Sequence, residues 1–337
     1  HQTAQIRSAT RITYVAGNGV QVSRPTFNAQ DARLLRQYDA LNRLVREESL
    51  PEGLVTTHTY DNVGNLLKTV RGDATIAAEQ RTEQRRYDAL GRVTAELGAR
   101  GAAALAQFAA PTQVQIDDIW ARYGTRHVYD QAGRRIAIIA PNGTSAAGNK
   151  TLYYYDALGR MTHSINALGE VTQYSNNSCG EQTEQRQYAK RIAALTLPTL
   201  SGGLASMLGT TVSSLANATL DSVQKTAYDL RGLVASRTDA LNNTDTFQYS
   251  TFGELGAYTQ RIDASRITQT LMSYDKVGNR QIVWRDAGSG SMTLMTYSLY
   301  DAFGRVMATV DGRSNSTSTG YDKLGRTVTT TDALRQT

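Results

Sequence analysis

The dipeptide Tyr-Asp occurs nine times in this 337-residue chain, against about one occurrence expected from composition. The copies begin at Tyr38, Tyr60, Tyr87, Tyr129, Tyr155, Tyr228, Tyr274, Tyr300 and Tyr321. Their aspartates are Asp39, Asp61, Asp88, Asp130, Asp156, Asp229, Asp275, Asp301 and Asp322. Four residues after each Tyr comes Gly64, Gly91, Gly133, Gly159, Gly232, Gly278, Gly304 or Gly325, and Asn42 in the first copy. Arg usually follows, as at Arg43, Arg92 and Arg305, with Asn65, Asn279 and Leu233 as departures. A degraded tenth copy keeps Tyr249 and Gly253 but has Ser250 for Asp. A repeat this short cannot bury a face by itself, so each unit must be stabilised by its neighbours.

The frame has a mechanism. An Asp carboxylate accepts from backbone N–H groups just ahead and closes a turn. The last turn residue needs positive φ, which Gly adopts freely and Asn better than most. A type I turn followed by such a residue is a common β-hairpin connection. Similar turns fall between the copies, at Asp239-Ala240-Leu241-Asn242 and Asn166-Ala167-Leu168-Gly169, and the shortest period is 21 or 22 residues. Between turns lie segments of about six residues rich in Thr, Val and Tyr, such as residues 92–97, 244–249 and 326–331. Antiparallel hairpins joined in sequence, all-β, are therefore predicted. Polar residues are common on both faces of these segments, so the sheet is expected to be wetted on both sides. Tyr accounts for 18 aromatics against 5 Phe and 2 Trp, and a ring with a polar tip suits such a thin wall.

Composition excludes several classes. With Cys179 alone there is no intramolecular disulfide and no cysteine-based metal site. The four histidines lack ligand spacing, and no metal or cofactor is expected. The net charge of +6 comes from basic residues spread along the chain, without the clustering a nucleic-acid surface needs. The longest uncharged run, residues 192–220, holds Pro and Gly and is not read as a membrane span. The chain starts at His1 and ends inside a turn unit, so it reads as a piece of something larger.

Two stretches break the period. In the first, near 100–124, Thr112 is a candidate N-cap for a helix carrying Ile116, Ile119, Trp120 and Tyr123, with Gly124 as its stop. In the second, near 183–222, Tyr188, Ile192 and Leu195 suit one short helix and Leu204, Leu208, Val212 and Leu215 another, giving a helical hairpin. Both read most simply as insertions covering a thin wall. The sharper reading is a contact element for cargo or a partner.

The unit Tyr87-Asp88-Ala89-Leu90-Gly91-Arg92, with its copies at Tyr155 and Tyr300, resembles the RHS/YD repeat. The resemblance runs from about Tyr38 to the end of the chain. It implies a single β-shell segment over 1–337, a spiral strip of hairpins in a hollow shell. It further implies a secreted or cell-surface bacterial protein of the polymorphic-toxin type, whose shell encloses a C-terminal toxin. The expected partners are the rest of that shell, the toxin domain and a delivery-system protein. The family's Asp-Pro closure motifs are missing from this sequence.

No catalytic constellation emerges, so the chain is expected not to be an enzyme. Asp117 and Asp118 point apart on a helix, and Cys179 has no histidine at a useful spacing. The Arg after each turn is read as capping carbonyls or stacking on a neighbouring Tyr ring. The alternative function is adhesion or carbohydrate binding, with Tyr153, Tyr154 and Tyr155 as a stacking surface for sugars.

Overall fold

A computed structural model describes residues 2–7, 32–73, 76, 80–144, 148–263, 265–286 and 288–334. The described chain is dominated by antiparallel β-structure, with few helices. It divides into two compact units. The first takes residues 1–159, 164–169 and 193–208; the second takes 160–163, 170–192 and 209–337.

In the first unit the strands β1 (Gln2–Arg7), β2 (Ala32–Tyr38), β3 (Leu44–Leu50), β4 (Leu54–Tyr60), β5 (Leu66–Asp73), β6 (Arg81–Tyr87), β7 (Val93–Leu97), β8 (Gly124–Tyr129), β9 (Arg135–Ala140) and β10 (Asn149–Tyr155) pair antiparallel in chain order. Strand β11 (Met161–Ile165) falls at the division between the units. The second unit contains β12 (Val171–Asn176) and β13 (Gln182–Gln187). It continues through β15 (Ser222–Tyr228), β16 (Val234–Thr238), β17 (Thr244–Tyr249), β18 (Leu255–Arg261), β19 (Ile267–Tyr274), β20 (Arg280–Asp286), β21 (Thr293–Tyr300), β22 (Val306–Asp311), β23 (Ser316–Tyr321) and β24 (Thr327–Thr331). These too pair antiparallel in order.

The ordering follows from the turns. A short connection can only return the chain beside the strand it left. At Asp39 the Asn42 N–H donates to the Asp39 carbonyl (3.1 Å) and the Asp39 N–H donates to the Arg43 carbonyl (3.0 Å). Asn42 stands at φ 60°. The pairing then slips by one residue between Gln37 and Tyr38. This is a type I turn closed by a left-handed residue and a β-bulge. The same slip occurs at Tyr60, Tyr87, Tyr129, Tyr228, Tyr249, Tyr274, Tyr300 and Tyr321.

The core is small. In the first unit, helices α1 (Ala99–Ala106) and α2 (Gln113–Tyr123) lie against the sheet, and Ala95, Leu97, Ile119 and Trp120 form a buried cluster. Thr112 caps α2 through a reciprocal pair. Its hydroxyl accepts from the Gln115 N–H (3.3 Å) and its own N–H donates to Gln115 Oε1 (2.8 Å). Gly101 allows α1 to approach the sheet, since a Cβ there would stand 2.2 Å from Leu97 Cδ1. Leu152, Tyr154 and Ile165 are also buried. From β15 to β24 in the second unit, Ala257 is the one buried apolar residue among those described. That sheet is wetted on both faces.

The segment 183–222 is not the helical hairpin that its apolar spacing suggests. Strand β13 runs to Gln187, and the Tyr188 N–H still donates to the Val171 carbonyl (3.1 Å). Gly202, Gly203 and Gly209 have positive φ and interrupt any helix. What forms is a set of single helical turns at 197–199, 205–208 and 210–213, with a two-residue strand β14 (Gly203–Leu204) running parallel to β10. Asp221 is buried and organises the end of this segment. It accepts from Arg186 (3.3 Å) and from the N–H groups of Ala189 (3.0 Å) and Asn217 (2.9 Å).

Candidate functional site

The repeat residues meet in a ladder along the turns, built from three contacts. The first is inside the turn. Asp88 Oδ1 accepts from the N–H groups of Leu90 and Arg92 (both 3.0 Å), and Oδ2 accepts from Arg92 Nε (2.7 Å). Asp39, Asp301 and Asp322 hold Arg43, Arg305 and Arg326 in the same way. The backbone N–H of Arg92 and its guanidinium hold the Asp88 carboxyl below the usual carboxylate range. Asp130 and Asp156 take the equivalent turn place, with Gly133 at φ 80° and Gly159 at 82°. Asp61, Asp229 and Asp275 do likewise with Gly64 at 101°, Gly232 at 79° and Gly278 at 90°. Gly91, Gly304 and Gly325 stand at 74°, 74° and 82°.

The second contact joins successive hairpins. The backbone ladder between β3 and β4 stops at Arg46 and Thr57, short of the turn. Beyond it the Tyr60 hydroxyl donates to the Leu44 carbonyl (2.9 Å). The pattern recurs in the first unit, where Tyr87 donates to Leu66 (2.9 Å), Tyr129 to Val93 (3.1 Å) and Tyr155 to Arg135 (2.7 Å). In the second unit Tyr228 donates to Gln182 (3.0 Å), Tyr249 to Val234 (3.0 Å) and Tyr274 to Leu255 (3.0 Å). Tyr300 and Tyr321 donate to Arg280 and Val306 (both 2.9 Å). Each acceptor lies just past the bulge of the preceding turn. The hydroxyl thus clamps the open end of the pairing. This accounts for Tyr rather than Phe at the head of each copy.

The third contact is the Arg. Its guanidinium lies over the Tyr ring of the next copy: Arg43 over Tyr60 at 4.8 Å, Arg92 over Tyr129 at 4.6 Å, Arg134 over Tyr155 at 5.2 Å and Arg305 over Tyr321 at 4.4 Å. Arg43 Nη1 also donates to the Asp61 carbonyl (3.0 Å).

The departures from the frame compensate within it. Where Leu233 replaces Arg, Arg231 turns back to Asp229 and reaches the Ser250 carbonyl (2.7 Å). Where Ser250 replaces Asp, the acid moves to the other end of the turn, and the Ser250 hydroxyl donates to Glu254 Oε2 (2.8 Å). Asn177 and Glu181 make the same exchange (2.6 Å). Asn65 and Asn279 donate to Asp61 and Asp275 (both 2.8 Å).

One feature shows only in the folded chain. The residue before the turn glycine is usually large, apolar and exposed: Leu90 and Leu158 at 77 %, Phe303 at 83 % and Val63 at 85 %. An apolar side chain at so many turn tips is unusual for a free surface. By contrast, Tyr153, Tyr154 and Tyr155 do not form an open platform. Tyr154 is buried with the Gly202 N–H on its hydroxyl (3.2 Å), and Arg135 and Arg134 lie over the other two rings. Cys179 is exposed in the Asn177 turn. Among the described residues there is no cluster of potential metal ligands, and no helix is long and apolar enough to cross a membrane.

The model of the RHS Repeat family matches residues 38–76 and 129–172. No curated protein matches the chain. Among solved structures, a chain of the Photorhabdus luminescens Tc holotoxin pore is similar at 12 % identity and a TM-score of 0.33, over 89 % of this chain and 18 % of that one. A TcdB2–TccC3 structure without its hypervariable C-terminal region is similar at 14 % identity and a TM-score of 0.29, over 90 % and 20 %. The chain thus spans about a fifth of the length of these chains.

Proposed function

From the premise that this is an RHS-repeat chain, we propose that residues 1–337 form one strip of the wall of a hollow β-shell that encloses a C-terminal toxin. The wall has no catalytic duty. Its partners are the rest of the shell, the toxin domain and a delivery protein, and the whole is secreted or held at the cell surface. The carrying observation is the ladder itself. Nine tyrosine clamps, joined at four of the junctions by a stacked arginine, fasten successive hairpins, while little is buried on either face. Such a sheet can be extended hairpin by hairpin without a central core, which is what enclosing a volume requires. The exposed apolar turn tips along its edges suit contact with further parts of a wall.

Limited proteolysis of the full-length gene product tests this. Protection of the sequence beyond Thr337, lost when the wall is cut, is the expected result. Cleavage of that region at the rate of the isolated region overturns it. If the protein instead carries only further repeats and is retained on glycan arrays, it is an adhesion or carbohydrate-binding module.

A further inference from the structure

The repeat contains its own control for a binding site. Arg43 and Arg134 lie over the next Tyr ring and donate to the carbonyl of the next turn, at Asp61 (3.0 Å) and Asp156 (3.4 Å). Glu254 occupies the Arg position of the Ser250 turn. Among the described residues no guanidinium stands over the Tyr274 ring, and none pairs with Glu254. A cavity of about 640 Å³ opens there, lined by Ser250, Phe252, Glu254, Tyr274, Asp275 and Gly278 among others.

We propose that this pocket binds the guanidinium of an arginine side chain presented by another polypeptide segment. Glu254 Oε2 is held by the Ser250 hydroxyl (2.8 Å), which fixes the carboxylate. Glu254 Oε1 lies 3.4 Å from a Cβ built on Gly278. In the Arg-bearing copies the corresponding atom is a guanidinium nitrogen: Arg305 Nη1 lies 3.3 Å from a Cβ built on Gly325, and Arg92 Nη1 3.4 Å from one on Gly133. At this junction an anion has therefore replaced the internal cation, beside the same ring and the same turn carbonyl. A guanidinium entering from outside would stack on Tyr274, pair with Glu254 Oε1 and donate to the Asp275 carbonyl. A planar fork satisfies all three at once, which favours arginine over lysine. Lys276 is exposed and also lines the pocket, so its ammonium competes with an incoming guanidinium, and K276A should strengthen arginine binding. Other junctions also lack an Arg at this place. At Tyr228 the anion is Glu181, whose Oε2 accepts from Asn177 (2.6 Å) and whose Oε1 lies only 2.7 Å from a Cβ built on Gly232, a tighter approach than at Glu254. At Tyr249, where Leu233 stands, Arg231 fills in on the Ser250 carbonyl. At Tyr300 the residue is the neutral Asn279. The junction at Asn65 and Tyr87 has a cavity of about 730 Å³. It has a neutral amide in the Arg position and Arg85 and Arg86 in its wall, so it is the poorer cation site.

The test is titration of the intact chain with N-acetyl-arginine amide, read by amide NMR at Gly253 and Gly278. Saturable shifts with a dissociation constant in the millimolar range, about 1–10 mM, are expected for one exposed side chain. N-acetyl-citrulline amide, the same shape without the charge, should produce no saturable shift, and the lysine amide should bind more weakly. E254Q should weaken arginine binding by about tenfold, since it removes the carboxylate that pairs with the guanidinium. The double substitution S250D/E254R restores the frame of the other copies and so should fold. It fills the pocket from within and should abolish binding. Equal shifts from citrulline amide, shifts that survive in S250D/E254R, or none up to about 50 mM arginine amide would overturn the proposal.

Discussion

Tyr129 offers a direct test of the clamp. In Tyr129→Phe the ring stays beneath Arg92 and only the hydroxyl bond to the Val93 carbonyl is lost. A net hydrogen bond contributes about 0.5–1.5 kcal/mol, so the substitution should destabilise by about 1 kcal/mol. Tyr129→Leu removes the ring as well and should add about 0.5–1 kcal/mol for the lost guanidinium contact, beyond the change in buried area. Tyr274 separates the two effects. Its hydroxyl makes the same bond to Leu255, yet no guanidinium lies on its ring among the described residues. Tyr274→Phe should therefore match Tyr129→Phe. The further step from Phe to Leu should cost less at 274 than at 129 by about that cation–ring term. Urea unfolding with hydrogen exchange of the flanking strands gives both quantities, and exchange localises the loss to one pair of hairpins. The clamp is refuted if both Phe variants stay within about 0.3 kcal/mol of wild type, a change too small for a lost bond. Equal Phe-to-Leu steps at the two positions would refute the stacking.

Three further outcomes follow from the geometry. Gly91→Ala should destabilise by about 1 kcal/mol because φ is 74° there, whereas Gly91→Asn should be nearly neutral, as Asn42 is at φ 60°; thermal unfolding of the pair would show whether the dihedral alone decides, since no atom lies closer than 3.5 Å to a Cβ at Gly91. Leu97, fully buried against α1 and α2, should cost about 2–5 kcal/mol as Leu97→Ala, with increased exchange in both helices; a loss under about 1 kcal/mol would deny the cluster its role. Asp39, Asp88 and Asp322 are held below the usual carboxylate range by backbone N–H bonds and their arginines. Their stabilisation is complete above the ordinary carboxylate pKa of about 3.9 and is lost as pH falls below it through the lowered folded-state values. Urea midpoints should therefore be flat from neutral pH to about pH 5 and fall below pH 4, and a midpoint that rises on acidification would contradict this.

The turns are specified within the chain's own local stretches. Asp at the first position and Gly or Asn at the fourth specify a local backbone shape through contacts within five residues, so the spacing of Tyr-Asp copies marks out the hairpins from Tyr38 to Tyr321. The helix at Thr112 was legible for the same reason, because the cap and the stop at Gly124 are local. What the sequence left open depends on contacts between copies. The clamp from Tyr60 to Leu44 spans sixteen residues and exists only when β3 and β4 lie side by side. The compensation of Leu233 by Arg231, and of Ser250 by Glu254, likewise needs the turn folded before its logic is visible. Helical spacing at Ile192, Leu204, Leu208 and Val212 misled because Gly202 and Gly203 are drawn against β9 and β10. There a Cβ on Gly202 would stand 2.2 Å from the Ile136 carbonyl oxygen, and close packing on a sheet outweighs a weak helical propensity. Local turn chemistry is written residue by residue, whereas neighbouring copies become partners only once the hairpins stand side by side.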